Sequence, residues 1–365
     1  MTTVAKKTKV VDCDTHFWQY LPLWQRFLDE PHRGQVTKYF TEYEGTRSGD
    51  TTLKKMTEDA SGKKYSDIPG GDDPVERLKW MDQEGMDVNI IFPGAGRAPM
   101  VPDADAAAAA CRAVNRWNAE FASASPRRLK PTMVLPMRYP DKALAEARYA
   151  IRTLGLRSAF VAPTPPPERR WSDPALDPVW REMQDAGIVV NMHEFSQLAP
   201  GYPGVSKPFY RDNYQMMYYC GHTVEMQLAL MDLIVGGVLE RFPRLQFGFI
   251  EAHTAWLPGW LAHMDSLGSW LASSKRGAKG ERYMSLRPTE FFRRQCFLAS
   301  FPDDAWIAET IKYVGEDNVV LCTDYPHPGT GYQMVDSFNK AYPNMPESLR
   351  RKLLGGNAER IFSLT

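Results

Sequence analysis

The chain has 365 residues, of which 43% are hydrophobic and 24% are charged, and this composition is typical of globular proteins. Its 44 basic and 44 acidic side chains give a formal net charge of zero, which favours neither a nucleic-acid-binding surface nor a membrane-binding patch. The longest apolar run, LALMDLIVGGVL, is interrupted by Asp232 and is too short to span a membrane. We therefore expect a small-molecule substrate, no nucleic acid and no membrane.

Cysteine usage and the N-terminal segment bear on the cellular compartment. The five cysteines are widely spaced and odd in number, so they match neither a disulfide framework nor a zinc-finger spacing. The first ten residues, MTTVAKKTKV, are basic but lack the apolar segment of a secretory signal peptide. We expect a cytoplasmic location.

Eight short runs of β-branched or apolar residues recur along the chain, and most are followed by a stretch with helical periodicity. The first run, KVVDCDTH, places Asp12, Asp14 and His16 on alternate positions, which face the same side of a strand. Near-continuous apolar strands that alternate with helices are typical of a parallel sheet. The predicted strands cover residues 9–16, 87–93, 130–136, 157–163, 187–194, 245–253, 296–300 and 318–327.

Eight strand–helix units with right-handed crossovers predict a closed (β/α)₈ barrel of the TIM type with long loop insertions. We predict one domain over residues 1–365. The insertions are two polar stretches, residues 30–72 after the first strand and residues 196–215 after the fifth. Long loops at the mouth of a barrel often form lids or subunit contacts. Three interpretations remain for residues 30–72: a surface loop, a lid or an oligomer arm.

Polar residues occur at several predicted strand ends, where the catalytic groups of such barrels lie. Asp14 and His16 end the first strand, His193 ends the fifth and Asp324 ends the eighth. Two imidazoles and two carboxylates suit Zn²⁺, Mn²⁺ or Fe²⁺, and they leave an open position for water or substrate. A single buried histidine is more often a core residue, but donors from three strand ends favour one divalent metal.

Three more donors lie near predicted strand ends: Glu251 and His253 in the sixth strand, and His327 beyond the eighth. They could bind a second metal ion. Alternatively, Glu251 is structural and His253 is a catalytic acid or base, because the pKa of imidazole suits proton transfer near pH 7. Asp324 is a second catalytic candidate because it could orient a metal-bound water.

Arg97 and Arg294 are candidates for pairing with a substrate carboxylate. The sequence does not choose between them.

Several stretches resemble the amidohydrolase-2 group, the branch of the amidohydrolase superfamily typified by aminocarboxymuconate-semialdehyde decarboxylase. The resemblance extends over most of the chain, and the sixth- and eighth-strand blocks are the most specific. It is carried by VDCDTHFW, DPVERLKWMDQEGMDVNIIFP, NMHE, GGVLERFPRLQFGFIEAHTAWLPGWLAHMD, FFRRQCFLASF, VVLCTDYPHPG and GGNAERIF.

The resemblance implies a (β/α)₈ barrel and usually one divalent metal. It implies Asp14, His16, His193 and Asp324 as the metal ligands, and His253 as a general acid or base. The sequence departs from the group at Asp14, where His or Glu is usual, and at Gln19, where many relatives with an Asp-x-His pair carry Glu. An added carboxylate gives the site one more hard oxygen donor, which favours Mn²⁺ or Fe²⁺ over Zn²⁺.

These observations predict a metal-dependent decarboxylase or hydrolase that acts on a small carboxylated substrate. One alternative is an oxygen-activating non-haem oxygenase on the same barrel, with one or two ions of iron or manganese. Another is a non-catalytic, metal-holding partner subunit of a homologous chain. We expect a homo-oligomer or a hetero-oligomer with such a chain.

Overall fold

The computed structural model describes residues 9–49, 68–194, 216, 219–274, 284–327 and 333–364. Within these residues, eight parallel strands pair in chain order, which confirms the predicted (β/α)₈ barrel. The strands are β1 (Val11–His16), β2 (Val88–Phe92), β3 (Leu129–Val134), β4 (Ser158–Val161), β5 (Val189–Met192), β6 (Gln246–Phe249), β7 (Cys296–Ser300) and β8 (Val319–Leu321).

Helices alternate with the strands. Two of them are capped at the N-terminus by an aspartate side chain: Asp73 accepts hydrogen bonds from the N–H groups of Val75 and Glu76, and Asp103 caps its helix in the same way. The helices are α1 (Leu21–Gln25), α2 (Arg33–Gly49), α3 (Pro74–Gln83), α4 (Ala104–Ala122), α5 (Pro140–Arg152), α6 (Asp177–Asp185), α7 (Met226–Val235), α8 (Val238–Arg241), α9 (Trp256–Ser274), α10 (Pro288–Gln295), α11 (Ile307–Val314), α12 (Met334–Ala341), α13 (Glu347–Arg351) and α14 (Asn357–Ile361). Two short π-helices, Cys220–Glu225 and Lys352–Gly356, precede α7 and α14.

The strands form the centre of the core and are almost entirely buried. Close packing requires a glycine at position 248 of β6, since a Cβ atom there would lie 2.4 Å from the ring of Phe297 on β7. Burial on both faces explains why the strand sequences are continuous apolar runs rather than alternating ones.

The barrel closes between β8 and β1 in the segment that carries the predicted metal ligands. The N–H of His16 donates to Tyr325 O (2.6 Å), and the N–H of Asp324 donates to Asp14 O (2.9 Å). Below them, the buried carboxylate of Asp12 accepts from the backbone N–H of Thr323 (3.0 Å) and from its hydroxyl (2.6 Å). Burial raises the pKa of Asp12 to about 7, although the Thr323 bonds offset part of that rise.

Strands β6 and β8 are shorter than predicted. The sixth was expected to extend to residue 253 and the eighth to residue 327, but they end at Phe249 and Leu321. Glu251, His253 and Asp324 have φ angles of 55°, 53° and 62°, and a strand cannot contain such residues. They lie instead in the turns that follow the strands, still at the carboxyl end of the barrel.

The two candidate arginines lie at opposite ends of the barrel. Arg294 belongs to α10, directly before β7, and donates to Leu239 O and to Gln295 Oε1 at the amino end. Arg97 is buried and follows β2 at the carboxyl end, next to a 3₁₀ turn at Ala98–Met100. The structure therefore favours Arg97 as the arginine near the mouth.

Much of the two predicted insertions lies outside the described residues. Residues 50–67 belong to the first insertion, and residues 195–215 include the second. The described part of the first insertion contains α2. No helix among the described residues is long and apolar enough to cross a membrane.

We predict that the Asp12–Thr323 contact stabilises the closure of the barrel. Thr323→Val should lower the free energy of unfolding by about 1–3 kcal/mol, because it leaves a buried carboxylate oxygen without its hydroxyl donor. Urea denaturation of the purified protein measures this loss. Thr132→Val is the matched control, since it removes a buried hydroxyl that donates to a backbone carbonyl, Ile91 O. A loss no larger than that of the control would contradict the prediction.

Candidate active site

The first strand brings two of the predicted ligands into the barrel. Asp14 and His16 stand two positions apart on β1, so both side chains point to the interior, where Asp14 is 0% and His16 2% exposed. Burial lowers the pKa of His16, but the neighbouring carboxylates of Asp14 and Asp324 outweigh it and raise that pKa to about 9.

His193 and Asp324 join this pair from the segments that directly follow β5 and β8. His16 Nε2 lies 3.3 Å from Asp14 Oδ1 and 2.9 Å from Asp324 Oδ1, and His193 Nε2 lies 3.4 Å from Asp14 Oδ2. Burial raises the pKa of Asp324, but the imidazoles of His327 and His16 outweigh it and hold that pKa below its usual range. The structure thus brings together all four predicted ligands, Asp14, His16, His193 and Asp324.

The polar atoms of these four side chains fit a divalent cation. Both carboxylate oxygens of Asp14, both of Asp324, and Nε2 of His16 and of His193 are buried and have no hydrogen-bond partner of good geometry among the described residues. Leaving several such atoms unsatisfied would cost several kcal/mol, and a shared cation would satisfy them together. Two carboxylates and two imidazoles are a donor set for Zn²⁺, Mn²⁺ or Fe²⁺.

Glu251 and His327 border the same cluster. His327 Nδ1 lies 2.7 Å from Asp324 Oδ1, and its ring stacks on that of His16 at 4.5 Å. Glu251 Oε2 lies 3.4 Å from His193 Nε2. In the part of the chain that the structure describes, three groups have potential ligand atoms within 4.8 Å of one another: Asp14, His16 and His193; His16, Asp324 and His327; and Asp14, Glu251 and Asp324.

His253 has a different environment and is in none of those groups. Its side chain is 55% exposed, and Nδ1 faces Asp304 Oδ2 at 3.7 Å. Asp304 follows β7, and its carboxylate accepts from the N–H groups of Thr254 and Trp306, each at 2.9 Å. Burial raises the pKa of Asp304, but the contact with His253 and the backbone bonds outweigh it and lower that pKa to about 2. An ionised Asp304 can therefore orient the imidazole.

His222 lies beside the cluster on the π-helix Cys220–Glu225 and is 8% exposed. Its Nδ1 atom lies 3.1 Å from Glu251 O and 3.5 Å from Glu251 Oε2. Burial and the nearby imidazole of His193 lower the pKa of His222 to about 3, so the ring is neutral at pH 7.

Comparison with known proteins identifies the family of the chain. The amidohydrolase family model Amidohydro_2 matches residues 11–364. The chain belongs to the amidohydrolase family. Among curated relatives, the 2-amino-3-carboxymuconate-6-semialdehyde decarboxylase of Dictyostelium discoideum is 22% identical over 292 residues, covering 80% of this chain and 77% of the relative. The gamma-resorcylate decarboxylase of Rhizobium sp. (strain MTP-10005) is 24% identical over 310 residues, covering 79% and 86%.

Solved structures of other amidohydrolases share the fold. The 5-carboxyvanillate decarboxylase of Sphingomonas paucimobilis superposes with a TM-score of 0.76 at 20% identity, covering 98% of this chain and 100% of that one. An amidohydrolase from Mycobacterium avium subsp. paratuberculosis superposes with a TM-score of 0.77 at 20% identity and the same coverage. At this level of identity the superpositions establish the fold of the chain.

Two residues of this amidohydrolase site were missed by the sequence analysis. Asp304 could have been found, because it lies four residues after the seventh predicted strand, the same kind of position as the other candidates. His222 gave no comparable signal, since a π-helix has no recognisable spacing in the sequence.

Gln19 has a structural role. Its amide donates to Asn118 Oδ1 and accepts from the N–H of Ala95 at 2.9 Å. An ionised glutamate could not make the first of these bonds.

We predict that His193 is needed for metal binding. His193→Ala removes one imidazole from the donor cluster, so metal bound per chain should fall sharply, by about tenfold or more at limiting metal. Elemental mass spectrometry of protein purified without added metal measures this. His263→Ala, which truncates an exposed histidine of α9, should retain the wild-type content. Unchanged content in a folded His193→Ala variant would exclude His193 from the ligand set.

Proposed function

We propose that this amidohydrolase is a divalent-metal-dependent decarboxylase that acts on a small carboxylated aromatic or muconate-like compound. The observation that carries the proposal is the pairing of a buried donor cluster with His253, an exposed imidazole oriented by Asp304. Decarboxylation needs an electrophile to accept charge and a positioned acid to replace the lost carboxyl group with a proton. The curated relatives named above, all decarboxylases, support the same reaction class.

In this scheme Asp14, His16, His193 and Asp324 bind the ion. When bound, it supplies Lewis-acid polarisation of a substrate oxygen. Two hard carboxylate donors favour Mn²⁺ or Fe²⁺ over Zn²⁺. Manganese is bound in the solved 5-carboxyvanillate decarboxylase of Novosphingobium aromaticivorans and in a dihydroxybenzoic acid decarboxylase of Polaromonas, which supports Mn²⁺ as the first metal to test.

His253 is the proposed proton donor. The bond between the substrate carbon and its carboxyl group breaks, the electron pair stays on that carbon, and carbon dioxide leaves. The proton on Nε2 of His253, the ring nitrogen away from Asp304, then forms the new C–H bond. Asp304 keeps the ring in this orientation. Arg97, buried beyond β2, is the proposed anchor for a second anionic group of the substrate.

Hydrolysis and oxygen activation are the alternative reactions of this centre. A hydrolase would use a metal-bound water, and an oxygenase would need dioxygen as co-substrate. The donor cluster is compatible with all three reactions, whereas the relatives favour decarboxylation. A non-catalytic subunit would have no need for the His253–Asp304 pair.

The proposed reaction predicts carbon dioxide release without oxygen. Protein loaded with Mn²⁺ is incubated under strict anaerobiosis with gamma-resorcylate, 5-carboxyvanillate and related carboxylated phenols. We expect one carbon dioxide per product molecule, the same rate with and without air, and one deuterium on the product carbon in D₂O. Product that forms only in air would favour the oxygenase, and product that retains the carboxyl group would favour the hydrolase.

We predict that His253 and Asp304 affect turnover without affecting metal content. His253→Asn should lower kcat by about 10²-fold or more, the usual scale for acid–base assistance. Asp304→Asn keeps an acceptor for the backbone N–H groups and removes the charge beside His253, so kcat should fall by about tenfold with little change in KM. Steady-state kinetics and metal analysis measure both effects.

His263→Asn is the control for these two variants, because it changes an exposed histidine outside the site and should have wild-type kcat. Loss of metal in a folded His253→Asn variant would make His253 a ligand and would support the two-metal alternative.

A further inference from the structure

Glu251 is held in the cluster by an unusual backbone conformation. It follows β6 with a φ of 55° and is 3% exposed. A non-glycine residue in the left-handed region is strained, and such residues are found where the surrounding structure requires one orientation of the side chain. Here the conformation directs a carboxylate into the interior of the barrel mouth.

The contacts of His193 indicate what Glu251 faces. His193 Nδ1 lies 2.9 Å from the backbone oxygen of Glu194, and because a carbonyl only accepts, Nδ1 carries the hydrogen. In the neutral ring Nε2 therefore carries a lone pair. It lies 3.4 Å from Asp14 Oδ2 and 3.4 Å from Glu251 Oε2. A lone pair and two carboxylate oxygens repel one another unless a proton or a metal ion lies among them.

The same geometry connects Glu251 to the other carboxylates. Potential ligand atoms of Asp14, Glu251 and Asp324 all lie within 4.8 Å of one another. Ligand atoms about 2.0–2.6 Å from a single ion are separated by distances of this size. Glu251 is thus near enough to share the ion of Asp14 and Asp324.

His222 contacts both the backbone and the side chain of Glu251. Its Nδ1 atom lies 3.1 Å from Glu251 O and 3.5 Å from Glu251 Oε2. It reaches this position from a π-helix, a local widening of the helix that is frequent at functional sites. Mutation of a residue that holds a metal ligand in this way typically changes the metal affinity by about 10–100-fold.

We propose that Glu251 binds the same divalent ion as Asp14, His16, His193 and Asp324, and that His222 positions it. This inference rests on the metal centre proposed above and adds a third carboxylate to it. A third hard donor shifts the preference of the site further toward Mn²⁺ and away from Zn²⁺. Glu251 is then a ligand of the first metal, and a second ion is not required to explain its position.

The test is Mn²⁺ binding to metal-free protein, measured by calorimetry and by the electron paramagnetic resonance spectrum of bound Mn²⁺. Wild-type protein should bind one ion per chain. Glu251→Gln should also bind one ion, with Kd raised about 10–100-fold and an altered spectrum. Glu251→Asp keeps the charge but shortens the side chain, so its Kd should be intermediate. His222→Asn should also raise Kd. In the double variant, Glu251→Gln should raise Kd by a smaller factor than it does in the wild-type background.

Glu146→Gln is the matched control, because Glu146 is a buried carboxylate bound by Arg112 and Asn115 outside the donor cluster. It should leave Kd unchanged, and thermal melting verifies that each variant is folded. If the folded Glu251→Gln variant has the Kd and the spectrum of the wild type, the inference is overturned, but the proposed metal centre is not affected. Two ions in the wild type and one in Glu251→Gln would assign Glu251 to a separate ion and would also overturn it. Absence of Mn²⁺ binding by the wild type would overturn the metal centre itself.

Discussion

The hydrogen bond from the N–H of Asp324 to Asp14 O, 2.9 Å long, joins the last strand segment of the barrel to the first. Both residues are also candidate metal ligands. The closure of the barrel and the geometry of the donor cluster therefore depend on the same few backbone contacts. Below this bond, Asp12 binds Thr323, and above it His16 binds Tyr325, so the segment is fixed on both sides of the cluster. A shift of β8 relative to β1 would separate Asp324 from Asp14 and His16.

Buried charge is the main energetic cost of this arrangement. Asp14, Asp324 and Glu251 are each no more than 3% exposed, and isolated carboxylates at such depth would be strongly destabilising. Imidazoles from β1 and from the turns after β5 and β8 lie against them, and a divalent cation would compensate the remaining charge. Arg77 adds a fully buried guanidinium nearby, which donates to the backbone oxygens of Gly70 and His16 and lies over the ring of Tyr325.

The proposed mechanism assigns two chemical tasks to separate parts of the site. The donor cluster lies inside the barrel, where low polarity strengthens electrostatic interactions. His253 lies at the exposed mouth, where its partner Asp304 is anchored by backbone N–H groups from its own loop and from the turn after β6. Under that proposal, proton transfer and charge stabilisation can be changed independently, which suits a fold whose relatives act on different carboxylated compounds.

The sequence by itself determined the barrel and the core of the donor cluster. Continuous apolar runs required strands buried on both faces, and the alternation of Asp12, Asp14 and His16 placed three polar groups on one face of the first strand. His193 and Asp324 could be added because parallel strands of a barrel direct their carboxyl ends to one mouth.

Only the tertiary structure decided which residues pair with one another in the rest of the site. Asp304 and His222 are far from their partners in sequence, and it is the packing of the turn after β6 against β7 and the π-helix that brings them to His253 and Glu251. The choice between the arginines could have been made from the sequence, because the predicted strand bounds place Arg97 after the second strand and Arg294 before the seventh. Spacing along the chain indicates which side chains share one face of a strand. Positive φ angles and contacts between distant turns arise only when the barrel closes.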